Sequence, residues 1–552
     1  MQSKVLKVHP ADNVIVALRD LQAGETVKFQ DEEYFISRAI PAKHKFVTEN
    51  LSIGDHVTMY GVLVGKATQP IEKGEQITVF NLKHDAEEYS TARKKSYNWQ
   101  PPDVSKWKHR TFNGYHRSDG KVGTANYWLV VPLVFCENRN ILKLKDAFEK
   151  GLGFALPETY QHQVLDLVEL YKQGNREGIA AYRPDATVDY TRKKENQLFK
   201  NVDGIKFLTH EMGCGGTNQD AQSLAALFAS YANNPNVAGV TVLSLGCQKT
   251  QYKDLIKEIE LRNPKFSKPV LFFEQQQYGT EPAMLSEAIK QTFLGLAAID
   301  KLERKPAPLS ALTIGLKCGG SDGFSGISAN PVLGHLSDII VALNGTTLLA
   351  EFPELCGVEQ ELINRSETVE IAEKFETLMR SYSAKAEAAG SGFDMNPSAG
   401  NIKDGLITDA IKSAGAAKKG GTAPIAGTLN YTELPHNPGL HLVCTPGNDV
   451  LATTGKAASG ATIILFTTGL GTPTGNPICP VVKVATNTEL AKKMPDIIDF
   501  DCGGIIRGEK SIEETAEELL EYCIGLANGD HQTKSQLLGQ DDFIPWQQGV
   551  NL

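Results

Sequence analysis

The residues with the densest chemical potential lie in one stretch, Lys317-Cys318-Gly319-Gly320-Ser321-Asp322-Gly323-Phe324-Ser325-Gly326. Four glycines in eight residues would let the backbone approach a ligand, and successive N–H groups can form an anion nest. Lys317 adds positive charge, Ser321 and Ser325 add hydroxyls, and Asp322 could be a base or a metal ligand. The expected target is a carboxylate or a phosphate. The stretch matches neither GxxxxGK[ST] nor GxGxxG, so no nucleotide reading follows.

Other reactive types fall in similar places. Cys214, Cys247 and Cys318 each end an apolar run and enter a glycine turn. Three thiolates with an open coordination position would suit an iron–sulfur cluster acting as Lewis acid, or a softer metal site. Small residues tolerated at crowded turns explain them equally well, because no CxxC spacing is present. His210-Glu211 could be a ligand or a general base. Glu351 and Glu354 flank Pro353 and suit a hard divalent cation or acid–base work. His44-Lys45 forms a basic spot in an apolar stretch, fit for a carboxylate or merely a surface turn.

These loops need strands to carry them. Apolar runs predict strands at 127–134, 205–208, 237–243, 270–273, 312–316, 347–350, 441–444 and 462–467. Helical patterns lie at 222–232, 282–301, 367–389 and 512–526, the last opened by a Ser511/Glu514 capping box. Such alternation predicts α/β units with mostly parallel sheets. Residues 1–84 differ. Three Gly-acid turns, at Gly24, Gly54 and Gly74, each lead into a β-branched run, and no long helix is expected there. The expected organisation is a β domain over 1–84, a linker over 85–110 steadied by Trp99 and Trp107, and α/β domains over 111–302 and 308–552.

The 552 residues are 41% hydrophobic and 22% charged, which excludes bulk disorder. A net charge of −9 disfavours nucleic-acid and anionic-membrane partners. The longest apolar run, 127–135, is too short to span a bilayer. The first residues lack a secretory core, and nine cysteines is an odd count that suggests reduced thiols, so a cytoplasmic protein is expected.

Together these segments resemble the altronate/galactarate dehydratase family of sugar-acid lyases, over nearly the whole chain. Asp12-Asn13-Val14, Ile40-Pro41-Ala42, His44-Lys45 and Tyr60-Gly61 resemble its SAF (β-clip) domain. Gly114–Thr124, with Arg117, resembles the opening of its second domain. His210 with Gly213-Cys214, Leu245–Gln248, Lys317–Pro331, Pro446–Asp449 and Gly469–Pro473 resemble later blocks. The sequence departs at Lys43, where relatives carry glycine, and at Ile77–Asn81, where they carry two histidines; His84 follows three residues on. Ala125-Asn126 stands where they carry Arg-Asn.

The resemblance implies a β-clip domain followed by two α/β domains, and dehydration of a small sugar acid such as D-altronate to 2-dehydro-3-deoxy-D-gluconate. Galactarate dehydration and sulfite elimination are the alternatives. It implies ferrous iron or another divalent metal, with an iron–sulfur cluster also open. In that reading His210, Lys317, Asp322 and Glu351 are the catalytic candidates. His44, Lys45, Arg117, Gly319, Gly320, Ser321, Ser325, Asn330, Thr472 and Asn476 are the substrate-binding candidates. Cys214, Cys247, Cys318 and Glu354 are the metal candidates. A homo-oligomer stays open. An NAD-dependent oxidoreductase and a non-catalytic sugar-acid sensor are the rival classes; the first lacks its glycine fingerprint, the second a transmitter segment.

Overall fold

A computed structural model describes residues 3–92, 97–184 and 194–551. Short β-branched runs make the first part of the chain antiparallel. Val5–Leu6, Val14–Ala17 and Lys45–Val47 form one small sheet; His56–Met59, Val62–Ala67 and Leu82–Lys83 form another. Gly24, Gly54 and Gly74 all take positive φ in the three expected turns. Within 85–110, residues 93–96 lie outside the described residues, and the rest form no strand or helix. Trp107 is fully buried beside Phe112, and Trp99 Nε1 donates to Thr422.

The expected alternation begins at Tyr127. Strands β1 (Tyr127–Pro132), β2 (Gly204–Phe207), β3 (Val237–Ser244) and β4 (Val270–Glu274) form a parallel sheet in the order β2-β1-β3-β4. A second sheet contains β5 (Thr313–Cys318), β6 (Thr346–Ala350), β7 (Ile425–Leu429), β8 (Gly439–Val443), β9 (Ile463–Thr468), β10 (Val481–Ala485) and β11 (Phe500–Asp501). Its order is β7-β8-β6-β5-β9-β10-β11, with every neighbouring pair parallel. The central strands are buried on both faces, as their unbroken apolar sequences require.

Helices α1 (Asn218–Asn233), α2 (Glu281–Ile299), α3 (Ala329–Ala342), α4 (Val369–Ala388), α5 (Asp409–Ala417), α6 (Asp449–Ala458) and α7 (Ile512–Asn528) include the four that the periodicity marks. The capping box of α7 forms in both directions, Ser511 N to Glu514 at 2.9 Å and Glu514 N to Ser511 Oγ at 3.1 Å. Helix α1 packs on α6, and Leu129, Phe228, Leu348 and Phe466 belong to one core, so the two sheets share an interior. Lys305–Pro308, between the two α/β regions, pairs antiparallel with Thr111–His116.

The chain leaves β5 towards β6 on one side and returns to β9 on the other. The carboxyl ends of β5, β6 and β9 therefore bracket the switch point of the sheet, where open α/β sheets bind ligands. The loop after β5 is also where the N-terminal β unit docks. Lys43 Nζ lies 3.1 Å from Asp322 and 2.8 Å from Asp404. Lys45 Nζ donates to the Gly405 carbonyl at 2.7 Å, and His44 Nε2 lies 3.1 Å from the Lys403 carbonyl. The approach is tight: a Cβ on Gly323 would sit 2.3 Å from the Lys43 oxygen, and one on Gly326 2.2 Å from the Tyr60 hydroxyl.

Asp322 is fully buried and also accepts from Ser325 Oγ, the Phe324 N–H and Thr486 Oγ1. Losing it leaves Lys43 with Asp404 alone and removes the acceptor of three buried donors. Asp322→Ala is expected to cost about 3 kcal/mol, seen as a lower Tm and faster proteolytic release of the N-terminal unit. An unchanged Tm would show that docking does not depend on this pair.

Candidate active site

Lys317 is the penultimate residue of β5 and is 1% exposed. An ammonium there needs counter-charge. Glu351 Oε1 lies 2.5 Å away and Asp449 Oδ1 2.9 Å away. Glu351 follows β6, the strand beside β5, and Asp449 opens α6. Asp449 reaches Lys317 only because residue 319 is glycine, where a Cβ would meet its Oδ1 at 2.3 Å. Glu351 takes a left-handed φ of 73°, strain that a non-glycine residue accepts only when its surroundings fix it. Its N–H donates to Thr445 Oγ1 at 3.1 Å.

The site continues around this pair. Glu354, on the turn Phe352–Leu355, takes Lys412 Nζ of α5 at 2.9 Å, and Cys318 Sγ lies 3.3 Å from its other oxygen. Lys419 Nζ lies 2.7 Å from Cys318 Sγ. Lys456, on α6, is wholly buried and its Nζ has no hydrogen-bond partner. Four lysines and three carboxylates thus converge at the ends of β5 and β6.

Their protonation follows from what each faces. Burial opposes charge on Lys317, but Glu351, Asp449 and Glu354 outweigh it and raise its pKa. Burial likewise opposes charge on Glu354, but Lys412, Lys317 and Lys419 hold it low. Glu351 is raised, by burial first and then by the charge of Glu354. Its Oε1 accepts from Lys317, and its Oε2 has no hydrogen-bond partner. Cys318 is raised by burial and by Glu354. Burial lowers Lys456 to about 7, with Glu351 only partly offsetting it. Lys317, Lys412, Lys419 and Lys456 together outnumber Glu351, Glu354 and Asp449, four nitrogens to three carboxyl groups. Such a site attracts an anion.

Cys318, Glu351 and Glu354 offer ligand atoms within 4.8 Å of one another. They do not fit a divalent ion, because Lys419, Lys317 and Lys412 each already occupy one of the three. A divalent ion would have to displace those lysines.

The structure brings together Lys317, Cys318, Glu351 and Glu354, with Gly319 and Gly320 beside them. It separates the other candidates. Asp322 is a docking residue, not a free base. The loop after β5 is no open anion nest: the N–H groups of Gly319, Asp322, Gly323, Phe324 and Ser325 are spent on protein acceptors. Ser321 keeps a buried hydroxyl without a hydrogen-bond partner, whereas Ser325 Oγ bonds Asp322. Asn330 spans Thr467 Oγ1 and the Gly415 carbonyl. Asn476 holds the N–H groups of Ile478 and Cys479, and Thr472 Oγ1 pairs with Thr474.

The surroundings of the remaining candidates commit them elsewhere. His210 has both ring nitrogens on backbone groups, Nε2 with the Pro132 carbonyl and Nδ1 with the Met212 N–H, and burial lowers it to about 4. Arg117 spends its guanidinium on Pro235, Asn126 and Ala125. His44 and Lys45 are committed to docking. Cys214 and Cys247 are exposed at the ends of β2 and β3 and do not join the buried Cys318. Their companion is Cys136, which the sequence reading missed. Phe135 N bonds Met212 O and Lys249 N bonds Gly213 O, lacing the three loops, and burial together with Cys214 and Cys247 raises the Cys136 thiol.

Sequence reasoning also missed Asp449, Lys412, Lys419 and Lys456. A signal existed for two of them: Lys456 and Lys419 are cations within runs of Ala, Gly and Thr, where a solvated face would be mixed polar.

Lys456 allows a sharp test. Its pKa falls from about 10.4 unfolded to about 7 folded. Between those values the unfolded chain binds one more proton, so wild-type stability rises with pH. The cost of charging Lys456 is full below pH 7 and gone above about 10.4. Lys456→Met should therefore match wild-type Tm near pH 10 and exceed it at pH 6, while turnover falls roughly 100-fold or more. A variant less stable than wild type at pH 6 would show the amine to be a structural partner.

Comparison with known proteins gives a consistent result. Residues 3–85 match the family described as altronate/galactarate dehydratase SAF domain, and 114–300 match D-galactarate dehydratase/altronate hydrolase, second domain. Residues 309–551 match D-galactarate/altronate dehydratase, C-terminal. The chain is 33% identical over 530 residues to an altronate dehydratase of Bacillus subtilis (strain 168), covering 95% of each chain. It is 31% identical over 553 residues to an altronate dehydratase of Escherichia coli (strain K12), covering 99% of each. A galactarate dehydratase (L-threo-forming) of the same Escherichia coli strain is 28% identical over 543 residues, covering 97% of this chain and 94% of its own.

Proposed function

The chain belongs to the altronate/galactarate dehydratase family, and from that premise we propose that it removes water from D-altronate to give 2-dehydro-3-deoxy-D-gluconate. It is a hydro-lyase, and its fold is an SAF domain followed by α/β units with parallel sheets. No helix among the described residues is long and apolar enough to cross a membrane. The choice of altronate is supported by the two relatives of that name, which match over nearly the full chain at higher identity than the galactarate enzyme.

One observation carries the reading: a wholly buried lysine whose Nζ has no hydrogen-bond partner and whose pKa burial lowers to about 7, set among three further lysines. Dehydration of a 2,3-dihydroxy acid needs a base for the C2 proton, cations for the dianion that forms on the carboxylate, and a proton for the hydroxide leaving C3. Lys456 as free amine supplies the base. Lys317, Lys412 and Lys419 meet the substrate carboxylate and hold its growing charge, a task worth most where water is excluded. Glu351, whose carboxyl is pushed up by burial and by Glu354 and whose Oε2 has no hydrogen-bond partner, is the group placed to give a proton to the departing hydroxyl. Ser321 can hold a substrate hydroxyl. The enol released then becomes the ketone without further catalysis.

A divalent metal, which the family resemblance implies, would supply Lewis acidity towards substrate oxygens when bound. The lysine-paired donors around Cys318 give it no place, so no step here passes through it.

Formation of 2-keto acid from D-altronate and from galactarate tests the reading. The expected result is product from D-altronate, with kcat/KM rising through about pH 7 as Lys456 loses its proton. Galactarate as the sole substrate would keep the site and change its substrate. No product from either, in folded protein, sinks the proposal.

A further inference from the structure

A separate group of ligand types joins the N-terminal β unit to the C-terminal α/β unit. His84 follows the strand Leu82–Lys83, Cys356 follows the turn that carries Glu354, and Asp409 begins α5. Their ligand atoms all lie within 4.8 Å of one another. Even at that limit a point equidistant from the three is about 2.8 Å from each, within a small inward shift of zinc-like bond lengths.

The surroundings place these residues deliberately. Helix α5 packs on the strand Val62–Ala67, and Thr408 Oγ1 bonds the Val64 carbonyl at 2.9 Å, which fixes the start of the helix. The three backbones meet at Gly357, where a Cβ would lie 3.1 Å from Ala410 Cβ and 3.5 Å from Ala86 Cβ. Asp409 is 1% exposed, and its Oδ2 is buried with no hydrogen-bond partner. Ser413 Oγ reaches only its Oδ1, at 3.4 Å, and the charge of Lys412 offsets its burial only in part. Burial pushes the carboxyl up to about 8.

We propose that His84, Cys356 and Asp409 bind one borderline divalent ion, of the zinc or ferrous class, that clamps the two units together. A neutral imidazole, a thiolate and a carboxylate sum to two negative charges, so the ion leaves the buried site neutral. Nitrogen, sulfur and oxygen together suit borderline metals and not calcium or magnesium. Three protein ligands leave a fourth position for water. The contrast with Cys318, Glu351 and Glu354 is in the competition: those donors are held by lysines, whereas no salt bridge engages Asp409 among the described residues.

Two measurements on the full-length protein test the clamp without any substrate, so they stand or fall apart from the choice of sugar acid. The first is metal per chain after purification without chelator, by plasma mass spectrometry. The second is the near-ultraviolet absorption of metal-stripped protein titrated with cobalt(II), where a thiolate ligand gives an intense charge-transfer band. Wild type should hold about one ion and show the band. Cys356→Ser and Asp409→Asn should lose roughly tenfold or more of both, while Cys318→Ala and Cys214→Ala retain them. Circular dichroism reports folding; if Asp409→Asn unfolds, the near-isosteric Cys356→Ser carries the test. Undiminished metal and band in Cys356→Ser overturn the proposal, as does their loss in Cys318→Ala or Cys214→Ala instead.

Discussion

A lysine cannot stay charged beneath a sheet covered on both faces unless carboxylates stand beside it, and most of the site follows from that requirement at Lys317. Glu351 takes a left-handed backbone to present its oxygen at the end of the neighbouring strand. Asp449 crosses from the start of its helix over a residue that must be glycine. Glu354 then needs Lys412 and Lys317 to remain ionised beside a second carboxylate. Each group is tolerable only because the next is there. The sheet fixes the spacing: β5 and β6 pair in register through Leu316 and Leu349, which sets the loop with Lys317 and Cys318 against the one with Glu351 and Glu354.

The glycine-rich loop after β5 serves a different end from the one its composition suggests. Glycines that could have admitted a phosphate instead admit other parts of the protein. Asp449 lies over Gly319, the Lys43 carbonyl over Gly323, and the Tyr60 hydroxyl over Gly326. The loop is a hinge-point between the catalytic sheet and the N-terminal unit. Lys43, at a left-handed φ of 76°, gives the junction an ion pair with Asp322. Docking and site assembly therefore share one backbone segment.

This division explains what could be read from sequence. The strands were legible because parallel strands buried on both faces are unbroken apolar runs, and the helix at 512–526 because its cap and its apolar stripe agree. Lys317, Glu351 and Glu354 stood out because charged residues ended such runs. Lys412, Lys419, Lys456 and Asp449 did not, since they come from helices and turns whose approach depends on tertiary packing. His210 and Arg117 misled for the converse reason. A polar residue at a strand end is equally a means of satisfying backbone groups, and both spend every partner on carbonyls, amides or Asn126. Type and spacing identify a group; only the environment decides whether it is free to react.

Placing lysines at the reacting centre and borderline-metal ligands at the domain junction is a coherent arrangement. Lys317 and Lys412 remain charged because carboxylates face them, and Lys419 lies against the Cys318 thiol. The fourth has no such partner, so burial, only partly offset by Glu351, lowers its pKa to about 7, where an amine can take a proton at neutral pH. A metal among them would raise the field on Lys456 further and repel its neighbours. Removed to His84, Cys356 and Asp409, the same charge would meet a buried carboxyl whose Oδ2 has no hydrogen-bond partner, one helical turn from Lys412. It would brace α5, and through it the lysine that holds Glu354 ionised, without entering the field that Lys456 must stay neutral in.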